Sequence, residues 1–390
     1  MKFSEIARLV GIQEYPEALE SYYDPSDTKP ACDLSLVDSL QRDYDMFGSY
    51  YDLVGQCGEQ LNKDAIRSAW VKTAVAYCRA VDFTLAKSVP VPEADGTVYT
   101  SMLPLYILVA QIPDSIAAYR SRGFSQEEIL RHVAVYKGSL AFVEDHTGLP
   151  GINARYFGWA THFTKAQIFE VGGLQYEMRT LPRQVTYLKE LETGRILPVM
   201  SSGTFHRSGI QALGSAGYTE EAGAFTCEFR EDSENYYGHA AYDCVVSPEE
   251  ETFPKKNWVC VIRPGDPCLG MHIPAKADIS QAAVNRSIAA AQKLVAERFP
   301  EFTGRQVYCS SWLLDPQLGK LLGEKANITA FQNRYLRFPQ QSSGMHVFGF
   351  AFPKRYESFE TLPEDSTLRR KLKQLYINGG YIYGYAGMIF

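Results

Sequence analysis

The stretch that decides the fold of the C-terminal half is CLGMHIPAKADISQAAVNRSIAAAQKLVAERFP, residues 268–300. It predicts a strand over residues 268–273 that ends at Pro274, followed by a long helix capped by Asp278 and Gln281. The buried face of this helix is expected to carry Val284, Ile288, Ala291 and Val295. A second strand is predicted at residues 306–310. This strand–helix–strand order predicts neighbouring strands that are at least partly parallel.

The first third of the chain has a helical pattern. Apolar residues recur every three or four positions at Ile66, Trp70, Ala74, Cys78 and Val81. Further on, Ser125 and Glu128 form a capping box that opens another helix, which Gly123 and Gly138 are expected to bracket. These patterns predict a helical domain over residues 1–150.

A turn sequence at residues 148–151 marks the change to a second domain, predicted over residues 151–390. A short helix at 153–163 is followed by alternating segments that predict strands at 174–178, 195–200, 224–230, 238–246, 258–262 and 346–350. Asp315 and Pro316 open a short helix, and a final helix is predicted at 366–377. The fold class is therefore α+β: a helical N-terminal domain followed by a mixed sheet with flanking helices.

The composition excludes several classes of partner. Hydrophobic residues make up 45% and charged residues 22% of the chain, which is typical of a globular protein. The net charge of −6 and the dispersed Lys and Arg residues argue against a nucleic-acid partner. No apolar run is expected to approach the ~20 residues of a membrane helix, so no membrane partner is predicted.

The N-terminus and the cysteines point to one compartment. The N-terminal segment lacks the basic start and apolar centre of a secretion signal, so a cytoplasmic location is expected. The eight Cys residues, with no CxxC motif, are predicted to be free thiols. The seven His residues are scattered without an i,i+4 pair, so no metal is expected.

The junction MHIPAKAD, residues 271–278, is a candidate anion site. Backbone N–H groups at a helix start attract phosphates, and Ile273, Ala275, Lys276 and Ala277 precede the predicted helix. The alternative is an ordinary strand–helix turn in which Asp278 already satisfies the helix end.

Several strings resemble one bacterial group of acyltransferase-domain proteins: GLQYE (173–177), MHIP (271–274), SSWLLDPQLGKLL (310–322), ANITAFQNRY (326–335) and LPEDSTLRRKLKQLYINGG (362–380). Members of the group combine an N-acyltransferase-type N-terminal domain with a GNAT-like C-terminal domain. The resemblance implies acyl-CoA as co-substrate, a small-molecule amine as acceptor and no metal. It also implies that strand 268–273 and strand 306–311 splay apart to admit the pantetheine arm.

The chain departs from the family at the pyrophosphate turn. GNAT enzymes carry a Gln/Arg-x-x-Gly-x-Gly/Ala loop there, whereas this turn has Pro274, Ala275 and Ala277. A matching string, QALGSA at 211–216, lies among predicted loops well before the long helix, and we interpret it as a coincidence.

The resemblance implies direct acyl transfer, which needs a base for the amine and a proton donor for the leaving thiolate. Candidate bases are Glu177 and His272, and candidate acids or thiolate partners are Tyr308, Ser310 and Ser311. Each has a structural alternative: Glu177 as the solvent-side residue of a strand, His272 as a structural histidine, and the serines as backbone caps near Asp315.

Two other functions stay open. Cys309 with His272 would make a thiol nucleophile and base pair, although the sequence offers no third residue to orient it. A non-catalytic ligand-binding or interaction protein on a degenerate GNAT-like fold is the other alternative, and the missing phosphate-loop glycines favour it. The oligomeric state is not readable from the sequence.

Overall fold

The computed structural model describes residues 1–92, 95–211, 223–352, 354 and 356–390. The chain divides into two compact units, Met1–Glu170 and Val171–Phe390. The sequence places the domain change at residue 150, before a helix over Ala154–Thr164. That helix lies within the first unit, where Ser115 Oγ donates to the carbonyl of Phe163.

The first unit is helical. Its helices are α1 Phe3–Leu9, α2 Leu34–Tyr44, α3 Tyr51–Lys63, α4 Ala65–Ala80, α5 Phe83–Ala86, α6 Val98–Val109, α7 Ile112–Ser121, α8 Gln126–Val133, α9 Val135–Thr147 and α10 Ala154–Thr164, with 3-10 turns at Glu17–Tyr22 and Gly48–Tyr50. The α4 prediction is confirmed: Asp64 caps its start, Trp70 is fully buried, and Lys165 donates to the carbonyls of Cys78 and Val81 at its end.

The capping box of Ser125 and Glu128 is present at the start of α8. The expectation that Gly138 ends this helix is wrong. α8 ends at Val133, and Gly138 lies inside α9, which runs to Thr147. The left-handed residue that ends α9 is Gly148, with φ of 81°.

One apolar segment of the first unit is longer than the sequence analysis expected. Val98–Ser121, which comprises α6 and α7, is long and apolar enough to cross a membrane by length and composition alone. In its most apolar window, 67% of the residues are buried inside the protein. Core helices of soluble proteins pass the same test, so the segment is weak evidence for a membrane span.

The second unit contains two sheets. Its strands, with the edge strand that spans the division between the units, are β1 Ile168–Val171, β2 Leu174–Thr180, β3 Val185–Glu190, β4 Ile196–Met200, β5 Ser202–Phe205, β6 Phe225–Glu228, β7 Arg230–Glu231, β8 Asn235–Tyr242, β9 Val245–Val246, β10 Glu251–Pro254, β11 Trp258–Ile262, β12 Pro267–His272, β13 Val307–Ser311, β14 Leu336–Pro339 and β15 Tyr385–Ile389. Its helices are α11 Gln281–Arg298, α12 Pro316–Leu322, α13 Asn327–Gln332 and α14 Thr367–Ile377, with 3-10 turns at Trp312–Leu314, His346–Gly349 and Phe359–Thr361.

The first sheet runs β1-β2-β12-β13-β15-β14, and the second runs β10-β8-β4-β3-β11, with β7 and β9 paired to β8. β5 and β6 form a separate hairpin. β12 and β13 are parallel and α11 connects them, as the strand–helix–strand order predicted. The other ladders of the first sheet at β12–β2, β13–β15 and β14–β15 are antiparallel, so the mixed α+β class is confirmed.

α11 is fixed to β2 by one buried serine. Ser287 Oγ donates to the carbonyl of Val171 and lies 2.8 Å from the hydroxyl of Tyr176. Gly172 passes so close that a Cβ there would lie 3.2 Å from the Cβ of Ser287. Val284, Ala291 and Val295 of the predicted apolar face of α11 are buried as well, whereas Ile288 is half-buried.

Two sequence predictions about this unit are wrong. Residues 346–350 do not form a strand; His346–Gly349 is a 3-10 turn, and the third strand beside β13 is β15, which lies near the C-terminus. Asp278 does not cap α11. Its carboxylate accepts from Ser280 N–H, and Ser280 is the N-cap residue.

Asp315 holds the turn after β13 together, as its predicted N-cap position requires. Its carboxylate accepts from the N–H of Gln317 at 2.8 Å and from the N–H of Tyr383 at 2.7 Å. Burial raises the pKa of this carboxyl to about 6, because the hydrogen bonds that favour the charged form only partly offset desolvation.

Replacing Asp315 with Ala is expected to lower the free energy of unfolding by about 1–3 kcal/mol, because it leaves the buried N–H of Tyr383 and the partly buried N–H of Gln317 without an acceptor. Urea denaturation measures this. Asp365→Ala, which removes an exposed partner of Arg369, is the control and should change stability by less than about 0.5 kcal/mol. Equal losses in the two variants would contradict the role of Asp315.

His132 makes the first unit sensitive to acid. The residue is 1% exposed, and burial lowers its pKa to about 4 from an ordinary 6.5. Its folded pKa lies below the unfolded one, so its stabilising contribution is complete above pH 6.5 and is lost as the pH falls toward 4. Thermal unfolding of His132→Gln should depend less on pH between 6.5 and 4 than that of wild type. An equal pH dependence of the two proteins would contradict this role of His132.

Candidate active site

The two central parallel strands of the first sheet separate at their carboxyl ends. Within the described residues, the ladder between β12 and β13 ends at the pair Met271–Cys309. Each strand continues with its other neighbour: β12 pairs with β2 as far as His272–Gln175, and β13 pairs with β15 as far as Ser311–Tyr385. The sheet therefore opens between the two strands, as the family resemblance implied.

The turn after β12 leads directly to the start of α11. It holds all four candidate cofactor-binding residues: Ile273, Ala275, Lys276 and Ala277. Ala275 and Lys276 are exposed, and Lys276 adopts a left-handed φ of 66° that is uncommon for a residue with a side chain. The N–H of Ala277 donates to the carbonyl of Pro274 at 3.1 Å, which closes the turn.

The first turn of α11 is not capped by the side chain of its N-cap residue, Ser280. Gln281 and Ala282 at this end are exposed. Arg334 lies beside it and donates to the carbonyl of Gln281 at 3.0 Å. An uncapped helix start with a guanidinium nearby is suited to an anion, which favours the phosphate interpretation of this junction.

Four of the five candidate catalytic residues share one face of the sheet. Gly270 pairs with Glu177 on one side and with Tyr308 on the other, so these residues point to the same side. His272 and Ser310 lie two positions further along their strands and share this face. Ser311 faces the other side, where its hydroxyl accepts from the N–H of Leu313. The structural alternative of a backbone cap therefore accounts for Ser311.

Glu177 and His272 are in contact, with 3.2 Å between Oε2 of the carboxylate and Nε2 of the imidazole. The carboxylate is almost buried, whereas 30% of the histidine side chain is exposed. Arg179 contributes a guanidinium, with Nη1 3.6 Å from the same Oε2. The arrangement suits a base whose imidazole is reachable and whose positive charge the carboxylate would balance.

Tyr308 and Ser310 are joined through Gln340, which follows β14. Gln340 Nε2 donates to the phenol oxygen of Tyr308 at 2.8 Å, and Ser310 Oγ donates to Gln340 Oε1. Tyr308 is 2% exposed, and burial raises its pKa well above the ordinary value although the charge of Arg179 opposes the shift. The phenol is therefore neutral and retains a proton. Ser310 is exposed.

The predicted thiol–imidazole pair does not form. Cys309 is paired with Met271 and lies on the opposite face of the sheet from His272. Burial raises the pKa of its thiol to about 12, so the thiolate is disfavoured. The described residues contain no group of three or more His, Cys, Asp or Glu side chains arranged to hold a metal ion. Ala212–Ala216 of the QALGSA string lie outside the described residues.

Sequence reasoning missed three parts of the site: Arg179, Gly270 and Gln340. Arg179 is detectable by alternation, since it lies two positions after Glu177 on the same strand. Gly270 leaves room for these side chains, because a Cβ there would lie 2.7 Å from Cδ of Arg179. No sequence pattern pointed to Gln340, because β14, the strand that precedes it, was not predicted.

Residues 168–389, more than half of the chain, match the family model described as the GNAT-like C-terminal domain. The chain belongs to this family. The match begins at residue 168, so helices α1–α10 lie outside it. No curated protein matches the chain significantly.

Solved structures resemble the whole chain. An acyltransferase in complex with decanoyl-CoA matches with a TM-score of 0.69 and 16% identity, covering 100% of this chain and 99% of the other. An acyltransferase with decanoyl-CoA and teicoplanin matches with a TM-score of 0.67 and the same identity and coverage. A mutant acyltransferase with octanoyl-CoA has a TM-score of 0.70, again with 16% identity and the same coverage. At this identity the likeness shows the fold alone.

Gly270, within β12, and Gly304, which lies against that strand, should differ in how well they tolerate Ala. At Gly304 a Cβ would lie 2.6 Å from the backbone N of Cys268, which cannot move without disturbing the strand. Gly304→Ala is therefore expected to cost about 1–3 kcal/mol of stability. Gly270→Ala meets the flexible Arg179 side chain and should cost less than about 1 kcal/mol. Urea denaturation compares them, and a greater loss at Gly270 would contradict this reading of the site.

Proposed function

We propose that this chain is an acyltransferase that moves an acyl group from acyl-CoA to an amine on a small-molecule acceptor. The observation that carries the proposal is the opening of the β12–β13 ladder beyond Met271 and Cys309, directly before the uncapped start of α11. The family membership and the acyl-CoA bound by the similar acyltransferases support it.

The negative charge of the diphosphate sets the orientation of acyl-CoA in this opening. The diphosphate would lie at the start of α11, where N–H groups and the helix dipole favour negative charge. The pantetheine arm carries amides that can pair with the strand edges where β12 and β13 no longer pair with each other. The thioester would then lie among the polar side chains on the Glu177 face of the sheet.

The chemistry follows from that placement. The amine nitrogen attacks the thioester carbonyl, so the N–C bond forms and the carbonyl electron pair moves to oxygen. His272 takes the proton of the amine, and Glu177, 3.2 Å away, balances the imidazolium charge. When the carbonyl reforms, the C–S bond breaks with its electron pair on sulfur. A hydroxyl of β13 then protonates the thiolate.

The donor site is tested by calorimetry with CoA, acetyl-CoA and decanoyl-CoA. Wild type is expected to bind one CoA moiety per chain. Ala282→Glu should weaken binding about tenfold, or ~1.4 kcal/mol, because it places a carboxylate at the helix start without harming the helix. Ala289→Glu, at an exposed position further along α11, is the matched control and should bind as wild type does. Equal affinities in all three proteins would contradict the placement of the diphosphate.

The base is tested by steady-state acyl transfer to a panel of small amines. Glu177→Gln should lower kcat about 100-fold with little change in the KM for acyl-CoA, since the carboxylate balances the imidazolium that forms when His272 takes the amine proton and is not part of donor binding. Exposed Glu192→Gln is the control. Tight acyl-CoA binding without transfer to any amine would favour the non-catalytic alternative.

A further inference from the structure

Gln340 is bonded on every polar atom of its side chain. Oε1 accepts from the Ser310 hydroxyl, and Nε2 donates to the Tyr308 oxygen at 2.8 Å and to Gln184 Oε1 at 3.3 Å. Its backbone N–H donates to the carbonyl of Gly384 at 2.9 Å, which ties the residue to the chain just before β15. If the amide turned over, its oxygen would face Gln184 Oε1 and that hydrogen bond would be lost, so the bond to Gln184 sets which end of the amide meets the phenol.

The bond from Gln340 decides where the phenol proton of Tyr308 points. Because the phenol oxygen accepts from Gln340, its own O–H must point away from that amide. Among the described residues, no acceptor is found for this proton. The paired position on β12 is Gly270, where the side chain of Arg179 takes the space that a Cβ would occupy.

Arg179 completes the surroundings of the phenol. Its guanidinium carbon lies 5.1 Å from the centre of the Tyr308 ring. A cation at this distance stabilises the phenolate that forms when the proton leaves. The ring itself packs in the core between the two sheets with Tyr187 and Met388, so its position is fixed.

We propose that Gln340 is a positioning residue that aims the O–H of Tyr308 at the sulfur leaving from acyl-CoA. This inference rests on the proposed function and assigns a role that the strand pattern did not reveal. In the step concerned, the C–S bond breaks and its electron pair stays on sulfur. The phenol proton moves to that sulfur, and the phenolate beneath Arg179 regains a proton from water.

The test compares two leaving groups. Gln340→Met keeps the length of the side chain but removes its hydrogen bonds, so the phenol is no longer held. With acyl-CoA, kcat should fall about 10–100-fold while KM changes less than about twofold. With an aryl thioester of the same acyl group, whose thiol is acidic enough to leave without a proton, the loss should be less than about threefold.

Three further proteins separate positioning from a structural role. Tyr308→Phe should show the same dependence on the leaving group, and adding Gln340→Met to it should cause no further loss. Gln340→Glu should lose more than Gln340→Met with acyl-CoA, because a carboxylate accepts the phenol proton and holds it. Exposed Gln374→Met on α14 is the matched control, and its kcat should equal that of wild type with both thioesters.

The outcomes distinguish this inference from the proposed function. If wild type transfers no acyl group from either thioester, both are wrong. If wild type is active and Gln340→Met loses the same factor with both thioesters, the positioning role alone is wrong. Additive losses in the Tyr308→Phe, Gln340→Met double variant would also overturn it.

Discussion

The structure of the second unit depends on a parallel ladder that stops early. Parallel strands need a long connection, and α11 provides it by crossing from β12 to β13. Because the ladder ends at Met271–Cys309 while the outer ladders continue, backbone groups at the centre of the sheet face an opening rather than another strand. Such backbone groups need water or a ligand as hydrogen-bond partners.

Much of this arrangement could be predicted from the sequence where local signals were strong. The apolar spacing of α11 and the Asp315–Pro316 helix start are signals of short range, and both were confirmed. β2 forms where its alternation predicted a strand, but Glu177, a polar position of that alternation, is buried and Met178 is half-buried. Strand alternation also puts Glu177 and Arg179 on one face. Prediction failed where tertiary context decides. β15 begins after a Gly-rich turn and lies beside β13 only through long-range pairing, whereas residues 346–350 have strand-like composition without a partner.

The residue types of the candidate site could be predicted from the sequence, but their contacts could not. Glu177, His272, Tyr308 and Ser310 were found as residue types beside recognisable strings, and the fold places them on one side of the sheet. Their roles differ because of contacts that no string encodes. Ser310 and Ser311 are adjacent in sequence, yet one reaches Gln340 and the other holds a backbone N–H. A residue as far along the chain as Gln340 could only be found from the folded chain.

Ser287 links α11 to the strand that carries part of the candidate site. By bonding to Val171 and Tyr176, it sets the height of α11 against β2, the strand that also carries Glu177. The start of α11 and the Glu177 carboxylate are therefore both positioned relative to β2. The close approach of Gly172 to Ser287 restricts movement of the helix along that strand. A donor held at one end by its phosphates would present its thioester at a fixed depth, whatever the length of the chain beyond it.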